Sequence, residues 1–186
     1  MTIEEFIQDA TRRMDKSVES AQHELNTLRA GRASVSLLDR IQVDYYGTPT
    51  PLNQLATLNA PEPRLLTVQP FDPSSLPAIE RAIQESDLGL TPSNDGKLIR
   101  LPIPQLTEER RKELVKVARQ LAEEGRVAVR NVRRDVMHHL KELVDKGEVG
   151  SDEEHRAEER VQKLTDEHTH KIDELLKRKE DEILEV

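Results

Sequence analysis

Proline is confined to one part of this chain, and its distribution constrains the fold more than any other feature. All ten prolines of the 186 residues lie between Pro49 and Pro104, and none lies in residues 1–48 or 105–186. A proline in a helix interior costs about 3 kcal/mol, so long helices exclude it. The chain therefore divides into a helical domain, residues 1–30 and 105–186, and an inserted domain, residues 31–104.

Three long amphipathic helices are predicted in the proline-free segments, because their apolar residues recur in steps of three and four. The first begins at Thr2, with Glu5 placed to complete a capping box, and ends near Gly31. The second begins at Thr107 and the third at Ser151, where Glu154 completes a second capping box. Helices of this length with an exposed apolar stripe are unstable alone. The fold class is therefore α+β, with an elongated three-helix bundle carrying the insert.

The second helix has the longest apolar stripe. Its predicted members are Leu114, Val117, Ala118, Leu121, Ala128, Val132, Val136, Leu140 and Leu143. Gly125 also falls on this stripe, where we interpret it as a small packing residue.

The insert has the alternating pattern and turn residues of a small α+β domain. We predict strands at Ile41–Tyr45 and Arg64–Gln69 and a short helix at Ser75–Glu85. A turn is predicted at Gly47–Pro51 and a hairpin turn at Ser93–Gly96. The backbone enters the insert near Gly31 and leaves it near Gln105, so the two connections lie side by side. Such a double connection is compatible with a hinge and equally with a rigid joint.

Composition excludes several classes of function. The chain has no cysteine, which rules out disulfides, thiolate metal sites and thiol nucleophiles. Neither phosphate-binding loops nor hydrolase and metalloprotease motifs occur, and the six histidines lack a ligand spacing. The acidic N-terminal segment is unlike a signal peptide, and no apolar run approaches a membrane span. We expect a soluble cytoplasmic protein that is no enzyme and that needs neither metal nor cofactor.

Arginines on the second helix form the strongest candidate site. Arg119, Arg126, Arg130 and Arg133 share a strip about 60° wide on the helical wheel, pointing away from the apolar stripe. Arginine binds phosphate through two parallel hydrogen bonds, so we predict binding of an anion or nucleic acid. Because the chain has only four aromatic residues, phosphate contacts should dominate, which favours structured RNA.

An intramolecular partner is the main alternative explanation of this strip. Residues 105–147 carry eleven basic and eight acidic side chains, whereas residues 148–186 carry seven and fourteen. The acidic third helix could therefore neutralise the arginines. Arg29 and Arg32, at the end of the first helix, are a second basic site, and stabilisation of the helix C-terminus explains them about equally well.

Six collinear motifs over essentially the whole chain resemble those of the bacterial-type ribosome recycling factor family. They are LRAGRAS, YYGTPTPL, SDLGL, PQLTEERRK, RVAVRNVRRD and VQKLTD, beginning at Leu28, Tyr45, Ser86, Pro104, Arg126 and Val161.

The resemblance implies a three-helix bundle and a smaller β/α/β domain arranged as an L of transfer-RNA dimensions. It implies binding of a monomer to post-termination ribosomes, where elongation factor G and GTP separate the subunits. Contacts to 23S ribosomal RNA of the large subunit would fall on Arg29, Arg32, Arg126, Arg130 and Arg133, and we add Arg119 from the strip. A hinge would comprise Gly31, Arg32, Pro104 and Gln105. The competing interpretations are a protein-binding adaptor and, far less favoured, an RNA-modifying enzyme.

Overall fold

A computed structural model describes residues 1–28 and 31–184. These residues belong to two compact units: the bundle, Met1–Ala30 with Thr107–Val186, and the insert domain, Gly31–Leu106. The four α-helices are α1 Ile3–Asn26, α2 Leu76–Glu85, α3 Glu108–Asp145 and α4 Ser151–Leu184. The six strands are β1 Gln42–Tyr45, β2 Thr48–Pro51, β3 Ala56–Glu62, β4 Leu65–Pro70, β5 Ser93–Asn94 and β6 Ile99–Pro102.

The helix starts follow from local capping, as predicted for α1 and α3. Thr2 accepts a hydrogen bond from the Glu5 amide at 3.2 Å, and the Glu5 carboxylate accepts one from the Thr2 amide at 2.8 Å. Thr107 caps α3 by accepting from the Arg110 amide. The predicted capping box of α4 is wrong: Ser151 is the first helical residue, because the Glu154 amide donates to the Gly150 carbonyl.

α3 packs against both α1 and α4, and this decides which of its apolar residues are buried. Three predicted stripe members are not buried: Val117 is 43% exposed, and Leu121 and Ala128 are only partly buried. The buried residues beside them are Val115, Ala122 and Val129. The buried face is centred between the two partner helices. Val115 lies about 60° from that centre and Val117 about 100° from it, which explains the difference.

Gly125 marks a close approach of the three bundle helices. A β-carbon at this position would stand 2.9 Å from the Ala21 β-carbon of α1 and 3.2 Å from the Ile172 Cδ1 of α4. Both neighbours are themselves buried. The prediction of a small packing residue at 125 is therefore confirmed.

The insert domain contains a β1–β2 hairpin and a four-stranded antiparallel sheet of order β3-β4-β6-β5. Its core is apolar and joins both sheets to α2; the members that are completely or almost completely buried are Leu38, Val43, Leu52, Leu66, Val68, Ile79, Ile83, Ile99 and Leu101. The predicted strands at Ile41–Tyr45 and Arg64–Gln69 and the helix at Ser75–Glu85 are confirmed within one residue at each end.

Two predicted turns of the insert are wrong in extent, and one strand was missed. Of the predicted hairpin turn at Ser93–Gly96, Ser93 and Asn94 form β5, which pairs with β6. The segment Gly47–Pro51 is a strand, not a turn: residues 48–51 pair with β1, and the turn is limited to Tyr46 and Gly47. Its prolines are tolerated because β2 is an edge strand of a two-stranded sheet, where a missing N–H breaks no inner ladder. Strand β3 was not predicted, because its sequence ATLNAPE contains a proline and little alternation.

Candidate nucleic-acid interface

The arginine strip of α3 borders α4. We define the strip as Arg119, Arg126, Arg130 and Arg133. Its four members lie on one side of α3, as the helical wheel predicts, and this side borders α4. Three of the four contact α4, and the side chain of Arg126 is only 22% exposed. The intramolecular partner considered from charge alone therefore exists.

Two interhelical ion pairs form regular rungs between α3 and α4. The Arg119 Nε lies 3.0 Å from the Glu180 Oε1, and the Arg126 Nη1 lies 2.7 Å from the Asp173 Oδ1. The two arginines are seven residues apart, and so are the two acids in the opposite chain direction. Seven residues advance a helix by about 10.5 Å, so the rungs repeat once per two turns.

A third rung is completed through an amide. Arg133 Nη1 donates to the Gln162 Oε1 at 3.1 Å, and Gln162 Nε2 donates to the Asp166 Oδ1 at 3.0 Å. Arg133 is seven residues beyond Arg126, and Asp166 is seven residues before Asp173. The three rungs therefore keep one antiparallel register, and we call them the ion-pair ladder.

Glu123 allows Arg126 and Arg130 to lie one turn apart in spite of their like charge. Its two carboxylate oxygens accept from the Arg126 Nε at 3.0 Å and from the Arg130 Nη2 at 2.9 Å. Like charges at i and i+4 destabilise a helix by a few tenths of a kcal/mol. One shared carboxylate offsets that repulsion and fixes both guanidinium groups.

A groove of about 360 Å³ runs between the two helices along the strip. Its lining residues are polar or charged: Arg126, Arg130, Arg133, Gln162, Thr165, Asp166, Thr169 and Asp173. A guanidinium has five N–H donors, whereas the ladder uses one donor of Arg119 and one of Arg133. The groove edge can therefore offer further donors to an anionic ligand such as a phosphate.

The second predicted basic site is only partly described. Arg29 lies outside the described residues, and Arg32 is exposed at the start of the insert domain. Gly31 has a φ of +74°, and a β-carbon there would stand 2.9 Å from the Leu106 Cγ. The entry and exit of the insert therefore adjoin, and only glycine fits the entry. Pro104 and Gln105 are exposed, and the hinge assignment of Gly31, Arg32, Pro104 and Gln105 stays a prediction.

Sequence reasoning missed the residues of α4 that complete the site. Gln162, Asp166, Asp173 and Glu180 were not singled out, although the three acids repeat at the same seven-residue interval as Arg119, Arg126 and Arg133. That shared interval was the available signal. Within residues 1–28 and 31–184, no group of three or more His, Asp or Glu side chains could hold a metal ion. No helix in these same ranges is long and apolar enough to cross a membrane.

The fold matches solved structures along nearly the whole chain. A solution structure of the ribosome recycling factor is 43% identical, with a TM-score of 0.74, and the match covers 99% of this chain and 98% of that one. A second match, 51% identical with a TM-score of 0.64, covers 99% of this chain and all of the other. It comes from models of the T. thermophilus ribosome recycling factor and the E. coli elongation factor G bound to the E. coli post-termination complex.

The sequence comparisons define the family. The model of the ribosome recycling factor family matches residues 21–184. The ribosome-recycling factor of Rubrobacter xylanophilus is 57% identical over 180 residues, which are 97% of each chain. That of Carboxydothermus hydrogenoformans is 54% identical over 184 residues, covering 99% of this chain and all of the relative. The chain is thus an α+β translation factor, and it belongs to the ribosome recycling factor family.

Proposed function

We propose that this protein binds ribosomes after termination and, together with elongation factor G and GTP, separates them into subunits. The observation that supports this most directly is the arginine strip along the α3–α4 groove of a recycling-factor fold. The structural relative described with elongation factor G and a post-termination complex supports the choice of partners.

The arginine strip is proposed to contact phosphates of 23S ribosomal RNA on the large subunit. Arg119 and Arg133 are fourteen residues apart, so the strip spans about 21 Å along α3. An exposed ion pair is worth only about 0.2–1 kcal/mol, so phosphates can compete for Arg119 and Arg130, whose side chains are 63% and 41% exposed. Arg29 and Arg32 are proposed to extend the contact beyond the strip.

We further propose that the chain is no enzyme. Subunit separation would be mechanical, with the GTPase of elongation factor G supplying the energy and the connections at Gly31–Arg32 and Pro104–Gln105 serving as the hinge. The protein would act as a monomer, in the cytoplasm, where ribosomes terminate.

The direct test is light scattering of post-termination ribosomes on addition of the protein, elongation factor G and GTP. We expect scattering to fall only when all three are present. No change with active ribosomes and a folded protein would contradict the proposal. Binding to proteins that survives ribonuclease treatment, without ribosome association, would instead favour the adaptor.

The role of the strip is tested by reversing its charge. The double variant Arg130→Glu with Arg133→Glu should lose binding to large subunits while keeping its helical circular dichroism. A matched control is Arg156→Glu with Arg178→Glu, which reverses two exposed arginines of α4 outside the groove. Affinity of the parent should fall with salt by about 0.7 to 0.9 of a log unit per log unit of salt for each phosphate neutralised. A flat salt response, or equal binding by both double variants, would contradict this assignment.

A further inference from the structure

The ion-pair ladder presents carboxylates to the arginine strip in the arrangement that an anionic ligand would use. Asp173 and Glu180 each accept a charge-assisted hydrogen bond from an arginine of α3, and Asp166 reaches Arg133 through Gln162. Carboxylate and phosphate oxygens are equivalent acceptors for a guanidinium. In the described structure, Arg119 and Arg126 are thus already paired with carboxylates of α4.

Each rung has one exposed partner through which water and ions can reach it. Arg119 and Asp173 are 63% and 56% exposed, whereas their partners Glu180 and Arg126 are 23% and 22% exposed. An exposed ion pair contributes only about 1.4- to 5-fold to an equilibrium constant, and salt screens it further. A phosphate can therefore displace a ladder carboxylate, but the displaced carboxylate then faces the incoming polyanion and repels it.

We propose that Asp173 and Glu180, with Asp166 through Gln162, are intramolecular counterions that RNA phosphates must displace, and that they lower the affinity of the arginine strip for RNA in general. This inference rests on the proposed function, because it concerns the same arginines. Opening a rung takes the same free energy from the binding of any polyanion that displaces its carboxylate. The ladder acids therefore set the affinity of the strip, and removing their charge should raise it.

The chain contains a closely matched control for this inference. Glu174 and Asp181 each follow a ladder acid by one residue, and they are also seven residues apart. Both are exposed on α4; Glu174 pairs with His170 on its own helix, and neither lines the α3–α4 groove. Neutralising this pair removes the same charge at the same spacing without touching the ladder.

The test compares Asp173→Asn with Glu180→Gln against the control Glu174→Gln with Asp181→Asn. The probe is a fluorescent 20-base-pair RNA duplex, and its anisotropy is followed over a range of KCl concentrations. We expect the ladder variant to bind the duplex about 2- to 25-fold more tightly than the parent, the product of two rungs, and the control to change it by less than 2-fold. In the ladder variant no displaced carboxylate takes up a cation, so binding releases more cations in total. The affinity of this variant for the duplex should therefore fall more steeply with salt than that of the parent. Affinity for isolated large subunits should rise by a comparable factor, because the same two rungs open.

Two further variants show whether the effect passes through the rungs. Asp173→Glu with Glu180→Asp keeps both charges and should bind the duplex with the parental affinity. In a background of Arg119→Gln with Arg126→Gln, neutralising the acids should give no more gain than the control does. If helicity is reduced in the double ladder variant, the single variant Glu180→Gln has the same expectation at about 1.4- to 5-fold.

The inference is overturned if the ladder variant binds the duplex no more tightly than the control, or if its gain persists without Arg119 and Arg126. These outcomes are independent of the proposed function. That function fails if the parent itself shows no affinity for large subunits, whatever the duplex measurements show.

Discussion

Gly125 on α3 lies directly against Ala21 on α1, so close that a β-carbon at 125 would approach the Ala21 β-carbon to 2.9 Å. Carbon atoms are at optimal separation near 3.5–4.0 Å, so the two backbones meet with no room for a second methyl group. The same β-carbon would also stand 3.2 Å from the Ile172 Cδ1 of α4. This contact sets the distance between the helices at the middle of the bundle.

The substitution Gly125→Ala should therefore destabilise the bundle. Alanine is a better helix former than glycine by about 1 kcal/mol, but an extra methyl in a packed core costs about 1–3 kcal/mol. We expect a net loss of about 1 kcal/mol in the free energy of unfolding, measured by urea titration. Gly150, with open space around its position for a β-carbon, is the control site. A Gly125→Ala protein as stable as the parent would show that the helices can separate without cost.

Tyr46 has a strained backbone at the tip of the β1–β2 hairpin. Its φ is +51°, followed by Gly47 at +80°, and a bulky residue is unusual in this region. Asparagine is favoured at this position of a two-residue hairpin turn. Tyr46 is also 83% exposed and packs edge-on against Tyr45, with ring centroids 4.6 Å apart. We expect thermal stability of the insert to rank Tyr46→Asn above the parent and the parent above Tyr46→Ala, which keeps the strain and loses the ring contact. An alanine variant as stable as the asparagine variant would contradict the strain argument.

Acid should weaken the contact between α1 and α3. The hydrogen bond from the Arg13 Nη1, 2.5 Å from the Asp135 Oδ2, lowers the pKa of Asp135 below its ordinary value. A carboxyl whose folded pKa is lowered stabilises the fold above its unfolded pKa of about 3.9 and loses that contribution as pH falls through the folded value. The stability difference between the parent and Asp135→Asn should thus shrink as pH falls below about 4. Because Asp135 is 42% exposed, the difference should stay below about 1 kcal/mol. Arg13→Gln should lose the same acid-dependent part of the free energy of unfolding. A stability difference between the parent and Asp135→Asn that grows in acid would contradict the pairing.

His168 links α4 to α1 through a buried ring. Its Nδ1 lies 2.7 Å from the Leu164 carbonyl oxygen and its Nε2 lies 2.6 Å from the Asp15 Oδ1. The Asp15 side chain is 53% exposed, so water can solvate it when the ring is removed. We expect His168→Leu to cost less than about 1.5 kcal/mol, whereas His168→Ala, which leaves a cavity, should cost about 2–3 kcal/mol. Chemical denaturation of both variants measures their free energies of unfolding. An equal loss of stability in both variants would mean that the polar contacts of His168 outweigh its packing.

Local interactions account for the parts of the fold that could be predicted from sequence. The start of α1 depends on Thr2 and Glu5, three residues apart, and the start of α3 depends on Thr107, so both helix starts could be predicted. The pairing of β2 with β1 and the existence of β3 could not be predicted. Strand pairing depends on distant partners, which compensate for prolines and weak alternation. The local sequence favours burial of Val115 and of Val117 equally. Only the positions of α1 and α4 decide that Val115 is the buried one.

The sequence by itself determined the two-part organisation, the long helices and the common face of Arg119, Arg126, Arg130 and Arg133, because proline exclusion and helical periodicity act within one segment. The tertiary structure decided what that face meets. The antiparallel register of α3 and α4 is set by packing around Gly125 and Ile172, and that register alone brings Asp173 to Arg126 and Glu180 to Arg119. A shift of one turn between the helices would keep every predicted element and remove every rung of the ladder, since contacts between helices depend on relative position and not on the pattern of either helix.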